Sequence, residues 1–255
     1  MTILQPKEEK KYIRDDDEAY RQLRTNIEFS SISSEIKVLV VSSADSAEGK
    51  TTTVVNLAKV MAASKKRVLV IDADLRVPDI HKVYNLSKRV GLTNALLEYG
   101  TEDFDLLKYI HLVKVPNGIN SLSVMTAGPS VPNPLEVLSS KRFVELMHYL
   151  REQFDFIVLD SAPILPVSDA ISIGQVTDGL LFCFASEQSH KERAKQALLQ
   201  LERTGVKVIG CCLTLIRKKN SPYDYYYYHY SKGSKKPTSF GSKLKRKRRK
   251  TTPVQ

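Results

Sequence analysis

A chain of 255 residues, 42% hydrophobic and 26% charged, can fill one α/β domain and shows no composition break at which its body divides in two. The net charge of +11 invites a nucleic-acid reading, yet residues 231–255 hold ten Lys or Arg and no acid, which leaves only +1 on the preceding 230. The basic signal belongs to a tail and argues against a nucleic-acid-reading body. Apolar runs such as 179–185 fall far short of the roughly eighteen residues that span a bilayer, and residues 1–10 are too polar for a signal peptide, so a cytoplasmic chain is expected. Cys183, Cys211 and Cys212 lie in apolar runs without metal-ligand spacing and are expected as buried free thiols.

In chain order, residues 1–15 are charged and expected to be flexible. Residues 16–30 place Ala19, Leu23 and Ile27 at four-residue spacing with acids in the first turn, the pattern of an amphipathic helix. On it Glu18, Arg21 and Arg24 share one arc, and spacing alone favours ordinary Glu-Arg pairing along a wet face. Residues 38–41 form a short apolar run read as a buried strand, and residue 51 onward has helical apolar spacing. Between them lies Ala44-x-x-x-x-Gly49-Lys50-Thr51, the Walker A pattern with alanine in its first glycine position. Backbone N–H groups of such a loop, with the helix N-terminus, surround phosphate oxygens; Lys50 adds a point charge and Thr51 a hydroxyl for magnesium.

Residues 67–78 (RVLVIDADLRVP) read as a strand that delivers Asp72 and Asp74 to its carboxyl end, where ligands bind in open α/β sheets. Residues 78–118 read as connection and cover, with a helix near 92–99, and 121–126 as a further strand. A rigid Gly-Pro-rich loop at 128–134 precedes a helix expected over 135–153. Residues 154–160 (FDFIVLD) have the Walker B shape, an apolar strand carrying Asp160 to a magnesium shell. A short helix at 169–176, strands at 179–185 and 207–215, and a helix at 191–203 complete the alternation. The expected fold class is α/β, a parallel β-sheet covered by helices on both faces. Right-handed crossovers would gather Lys50, Thr51, Asp72, Asp74 and Asp160 at one edge.

Past Ile216 the character changes. Tyr223, Tyr225, Tyr226, Tyr227, Tyr228 and Tyr230 put six of the chain's twelve tyrosines into eight residues, without the alternation of a core strand. From the residues alone this is either an aggregation-prone or base-stacking segment or a set of modification sites. A polybasic stretch, 232–250, follows. The expected division is a flexible 1–15, a domain over 16–216 and a flexible tail over 217–255.

Taken together, these motifs resemble the bacterial tyrosine kinases of capsular and exopolysaccharide biosynthesis, in the Gram-positive form whose kinase is separate from its membrane activator. The family has a Walker A loop, matched by Ser46, Ala47, Glu48, Gly49, Lys50, Thr51 and Thr52, and a second Walker-type strand ending Asp-x-Asp-x-Arg, matched at 72–76. Its Walker B strand matches 156–160, its Glu-x-x-Arg-x-x-Arg helix Glu18, Arg21 and Arg24, and its tyrosine cluster 223–230. The resemblance implies a P-loop fold of the kind shared with septum-site-determining ATPases, with ATP and Mg2+ as cofactors. It implies that Lys50, Asp72 and Asp74 are catalytic, with Asp72 as base or orienting group, and that Thr51, Asp74 and Asp160 build the metal shell. It also implies that the tail tyrosines are phosphoacceptors and that Glu18, Arg21 and Arg24 assemble a homo-oligomeric ring in which one copy's tail enters its neighbour's site. A membrane activator that regulates polymer chain length and a tyrosine phosphatase are the partners it brings; contact of the tail with anionic membrane is expected from its ten cations and not from the resemblance, and nucleic acid is not expected.

Four positions depart from the family. Ser46 and Ala47 replace a usual Pro-Gly, Ala162 a proline, and Thr214 a frequent asparagine. If position 47 needs positive φ, alanine is a poor residue there and nucleotide binding weakens. Two other readings stay open: a partitioning-type ATPase switch, which would want lysine where this chain has Asp45, and a nucleotide-dependent scaffold without catalysis.

Overall fold

The computed structural model describes residues 17–30, 35–64, 66–115 and 121–216. The tyrosine cluster and the polybasic stretch lie outside the described residues. Helix α1 (Asp17–Ser30) comes first, then β1 (Val38–Ser43), α2 (Lys50–Ala63), β2 (Val68–Asp72), α3 (Ile80–Val83) and α4 (Leu92–Glu98). A 3-10 turn (Leu106–Lys108) leads to β3 (His111–Lys114) and β4 (Ser121–Met125), followed by α5 (Pro134–Leu138), α6 (Lys141–Gln153) and β5 (Phe156–Asp160). The chain continues through α7 (Asp169–Gly174), β6 (Gly179–Ala185), α8 (Lys191–Arg203) and β7 (Val208–Thr214).

Among the described residues the strands form one seven-stranded sheet in the order β3-β4-β2-β5-β1-β6-β7. Every neighbouring pair is parallel except β3 with β4. β1, β2 and β5 lie in its interior and are buried along their whole length, which explains why they read as continuous apolar runs without alternation. One face packs Leu39, Val41, Val68 and Val70 under Val54, Leu57 and Met61 of α2. The other packs Val40, Leu69, Ile71 and Leu159 under Leu92, Phe143, Leu146 and Leu201 of α4, α6 and α8. At the entry to β1, the Asp178 carboxylate accepts N–H bonds from Lys37 and Val38 and a bond from Arg151. Burial alone would raise Asp178, but these donors outweigh it and hold its carboxyl below the ordinary range.

Several sequence expectations are adjusted. The helix expected over 135–153 is two helices, broken at Ser139 and Ser140, because the Ser140 side chain caps α6 by accepting from the Phe143 N–H. β3 occupies a stretch read as connection. Ala19 is exposed, and the apolar seam of α1 runs through Leu23 and Ile27. Of the thiols only Cys183 is buried; Cys212 is intermediate and Cys211 exposed, and all three are free.

Candidate active site

β1 ends between β5 and β6 at the carboxyl edge of the sheet, and the chain turns there through residues 44–49 into α2. Two left-handed residues make the turn, Ala47 with φ 61° and Gly49 with φ 83°. At Gly49 glycine is required twice over, because a Cβ would also lie 3.0 Å from the Thr214 side chain. Ala47 has no such freedom, and left-handed backbone at a residue with a Cβ costs about 1 kcal/mol or more. The loop is tied from outside. The Thr214 hydroxyl donates to the Glu48 carbonyl at 2.7 Å. The Glu48 carboxylate accepts the Asp45 N–H at 2.8 Å and the Ser189 hydroxyl, and Arg193 grips Asp45 with two bonds of 2.6 and 2.5 Å.

The second loop follows β2 and is held by its own acids. Asp72 is fully buried and accepts the Ile80 N–H at 3.0 Å. Asp74 accepts the N–H groups of Arg76 and Val77 at 3.2 and 2.9 Å. The Arg76 guanidinium turns back to the buried Asp169 of α7 with bonds of 2.7 and 3.0 Å.

Asp160 ends β5 beside Asp72 in register, and the Thr51 hydroxyl donates to its Oδ2 at 2.6 Å. Oδ1 of Asp72 and Oδ1 of Asp160 are buried without a hydrogen-bond partner. Burial and, at Asp72, the Asp160 charge push both carboxyls above the ordinary carboxylate range, with Thr51 and Lys50 opposing the shift at Asp160. The unpartnered oxygen of Asp160, whose other oxygen takes the Thr51 hydroxyl, fits a hard cation, and that of Asp72 is left as a separate acceptor. Among the described residues no three His, Cys, Asp or Glu side chains form a protein-only metal cage.

These groups line or underlie a cleft of about 630 Å3. Ser46, Ala47, Gly49, Lys50, Thr51 and Thr52 form its phosphate-loop wall, and Asp74, Arg76, Val77 and Asp79 the opposite lip. Ala162, Pro163, Pro166, Val167 and Leu215 add apolar side chains to its lining. The structure thus brings Lys50, Thr51, Asp72, Asp74 and Asp160 to one edge. Glu48 does not line the cleft, because its carboxylate is buried against Asp45 and Ser189. Glu18 and Arg21 pair along exposed α1, and Arg24 lies 3.9 Å from Glu28. The six tyrosines fall outside the described residues. Sequence reasoning missed Asp169, Ser189 and Arg193. Each sits far along the chain from its partner, and no local pattern announces it.

A family model described as an AAA domain matches residues 36–203. The chain is 40% identical over 210 residues to the tyrosine-protein kinase YwqD of Bacillus subtilis, covering 82% of this chain and 85% of that protein. It is 34% identical over 225 residues to the tyrosine-protein kinase CpsD of Streptococcus pneumoniae, covering 88% and 95%. Among solved structures, the kinase domain of the Escherichia coli tyrosine kinase ETK aligns with TM-score 0.70 at 29% identity, over 89% of this chain and 80% of that one. The septum site-determining protein MinD of Pyrococcus horikoshii, complexed with Mg-ADP, aligns with TM-score 0.56 at 20% identity over 73% and 72%, a likeness of fold. With its phosphate loop, its paired acidic strand ends and these relatives that it matches nearly end to end, the chain belongs to the bacterial tyrosine-protein kinases.

Proposed function

We propose that this chain transfers the γ-phosphoryl group of ATP to the hydroxyls of its own C-terminal tyrosines, one copy acting on another, and thereby regulates exopolysaccharide or capsule synthesis and export. The observation that carries the reading is the convergence of Lys50, Thr51, Asp72, Asp74 and Asp160 at the sheet edge that bears one cleft, in a chain that carries six clustered tyrosines at 223–230. Phosphoryl transfer is mostly positioning and charge neutralisation, and these side chains are the parts it needs. The loop N–H groups and Lys50 hold the phosphates. Thr51, Asp74 and Asp160 would hold Mg2+, directly or through water, and the ion would supply neutralising charge to the phosphates. Asp72 accepts or orients the tyrosine proton through Oδ1, the atom left without a partner while Oδ2 holds the Ile80 N–H.

The reading extends to a separate membrane activator that docks the kinase at the membrane, to a ring assembled through Glu18, Arg21 and Arg24, to a tyrosine phosphatase that resets the tail, and to contact of the polybasic stretch with anionic lipid. Similarity to the chimerical protein CapA2B2, TM-score 0.74 at 29% identity over 82% of this chain and 88% of that one, supports a two-protein system. Among the described residues no helix is long and apolar enough to cross a membrane.

The decisive experiment incubates the full chain with the activator's cytoplasmic segment, magnesium and ATP, and reads the tail by mass spectrometry. Phosphotyrosine at residues 223–230 is expected. Phosphate release without it would return the chain to the ATPase-switch reading, and neither product would leave a scaffold. Light scattering after charge removal at Glu18, Arg21 and Arg24 tests the ring, with smaller assemblies expected. Sedimentation with phosphatidylserine vesicles tests the tail: salt-sensitive binding that weakens on phosphorylation is expected, since six phosphotyrosines bring about −9 to −12 charges against ten cations.

A further inference from the structure

A loop that accepts a polyanion is an unfavourable place for acids, yet residues 44–51 contain two, Asp45 and Glu48. Glu48 is spent inside the fold. Its carboxylate is 4% exposed and accepts the Asp45 N–H and the Ser189 hydroxyl. Asp45 has no such shelter. Its side chain is 31% exposed, and the charge of Lys50, the phosphate-binding cation, reaches it. A bare carboxylate there would repel incoming phosphates and compete with them for Lys50.

Arg193 meets that problem from 148 residues away. It stands on the first turn of α8 and presents its Nε and Nη2 to the two Asp45 oxygens at 2.6 and 2.5 Å, a fork-to-carboxylate geometry that matches charge and direction together. Ser189, just before α8, bonds the other acid of the loop, and the Glu48 charge also reaches Arg193. The start of α8 is thus aimed at the two acids of the phosphate loop. We propose that Arg193 is a positioning residue of the nucleotide site, neutralising Asp45 so that the phosphate loop admits a nucleoside triphosphate in preference to the diphosphate. The bond to Arg193 holds the Asp45 carboxyl below the usual carboxylate range, so the acid is charged at neutral pH and the need for a counter-charge is constant.

The inference rests on nucleotide binding at this cleft and leaves open whether tyrosine is the acceptor. Its test is calorimetric titration of the full chain with ATP and with ADP, each with magnesium, in four variants. Arg193→Gln should weaken ATP about tenfold and ADP about threefold, because the triphosphate brings one more charge against the exposed Asp45, and both losses should shrink with added salt. Arg193→Lys should keep most of the ATP affinity. The double variant Asp45→Asn with Arg193→Gln should return ATP to within about twofold of the native chain, and Asp45→Asn alone should favour ATP no less than the native chain does. Equal losses for both nucleotides, no rescue in the double variant, or unchanged affinity in Arg193→Gln would overturn the proposal and leave Arg193 as an anchor for α8. If the native chain binds neither nucleotide, the proposal and the kinase reading fall together. Native binding without phosphotyrosine sinks only the kinase reading.

Discussion

The two loops that line the cleft are held in different proportions from within and from outside. The phosphate loop after β1 is fixed by residues far along the chain, Thr214, Ser189 and Arg193, and it carries a strained Ala47. The acidic loop after β2 is fixed largely by its own Asp72 and Asp74, which accept N–H groups from Ile80, Arg76 and Val77, with the Arg76 bonds to Asp169 added from outside. In the first loop, holding and chemistry belong to different residues and can be tuned apart. In the second, the same carboxylates do both, so chemical change risks structural change.

The largest expected effect separates the two duties of Asp72. Asp72→Asn keeps an oxygen for the Ile80 N–H but loses the charge, so tail phosphorylation should fall at least about a hundredfold while the folded state persists. Phosphotyrosine yield and thermal unfolding on the same sample check it. Normal phosphorylation would take Asp72 out of the chemistry. In Asp74→Ala the N–H groups of Arg76 and Val77 lose their acceptor, and denaturant unfolding should show a loss of about 1–2 kcal/mol; unchanged stability would mean that the acidic loop is held by something else.

On the opposite wall, Thr214→Val removes only a hydroxyl of similar shape, and the Glu48 carbonyl loses a bond worth about 1 kcal/mol. The KM for ATP should rise about threefold to fivefold with kcat nearly constant. An equal fall in kcat would show that Thr214 does more than hold the loop. The smallest effect belongs to Ala47→Gly, which relieves left-handed strain but loosens the unfolded chain. The net change should be a gain of no more than about 1 kcal/mol, with ATP bound as well or slightly better, as equilibrium unfolding and titration can establish.

How much of this was legible in the sequence follows from the same contrast. Asp72, Asp74 and Asp160 sit at the ends of apolar runs and Lys50 and Thr51 between an apolar run and a helix, signals contained within about a dozen residues, and the parallel topology then brings them together. Asp169, Ser189 and Arg193 carry no comparable local mark. Arg76 meets Asp169 across 93 residues and Asp45 meets Arg193 across 148, and only the closed sheet makes them neighbours. The break between α5 and α6 was hidden because Ser139 and Ser140 interrupt a stretch whose apolar spacing reads as one helix. β3 was hidden because His111–Lys114 is a four-residue edge strand with one buried residue.

Helix α1 packs through Leu23 and Ile27 against α2, with Lys66 just beyond α2 bonded to Glu28 at 3.1 Å, and α2 begins at Lys50. One rod therefore begins at Lys50 of the phosphate loop and carries along its flank the helix that bears Glu18, Arg21 and Arg24. If copies assemble through those three charges, assembly and nucleotide occupancy are linked equilibria. Whatever factor bound ATP adds to the affinity of one copy for the next, a completed neighbour contact must return to ATP in full. A cell could then set the kinase's nucleotide occupancy by crowding copies together, with no change in the nucleotide supply.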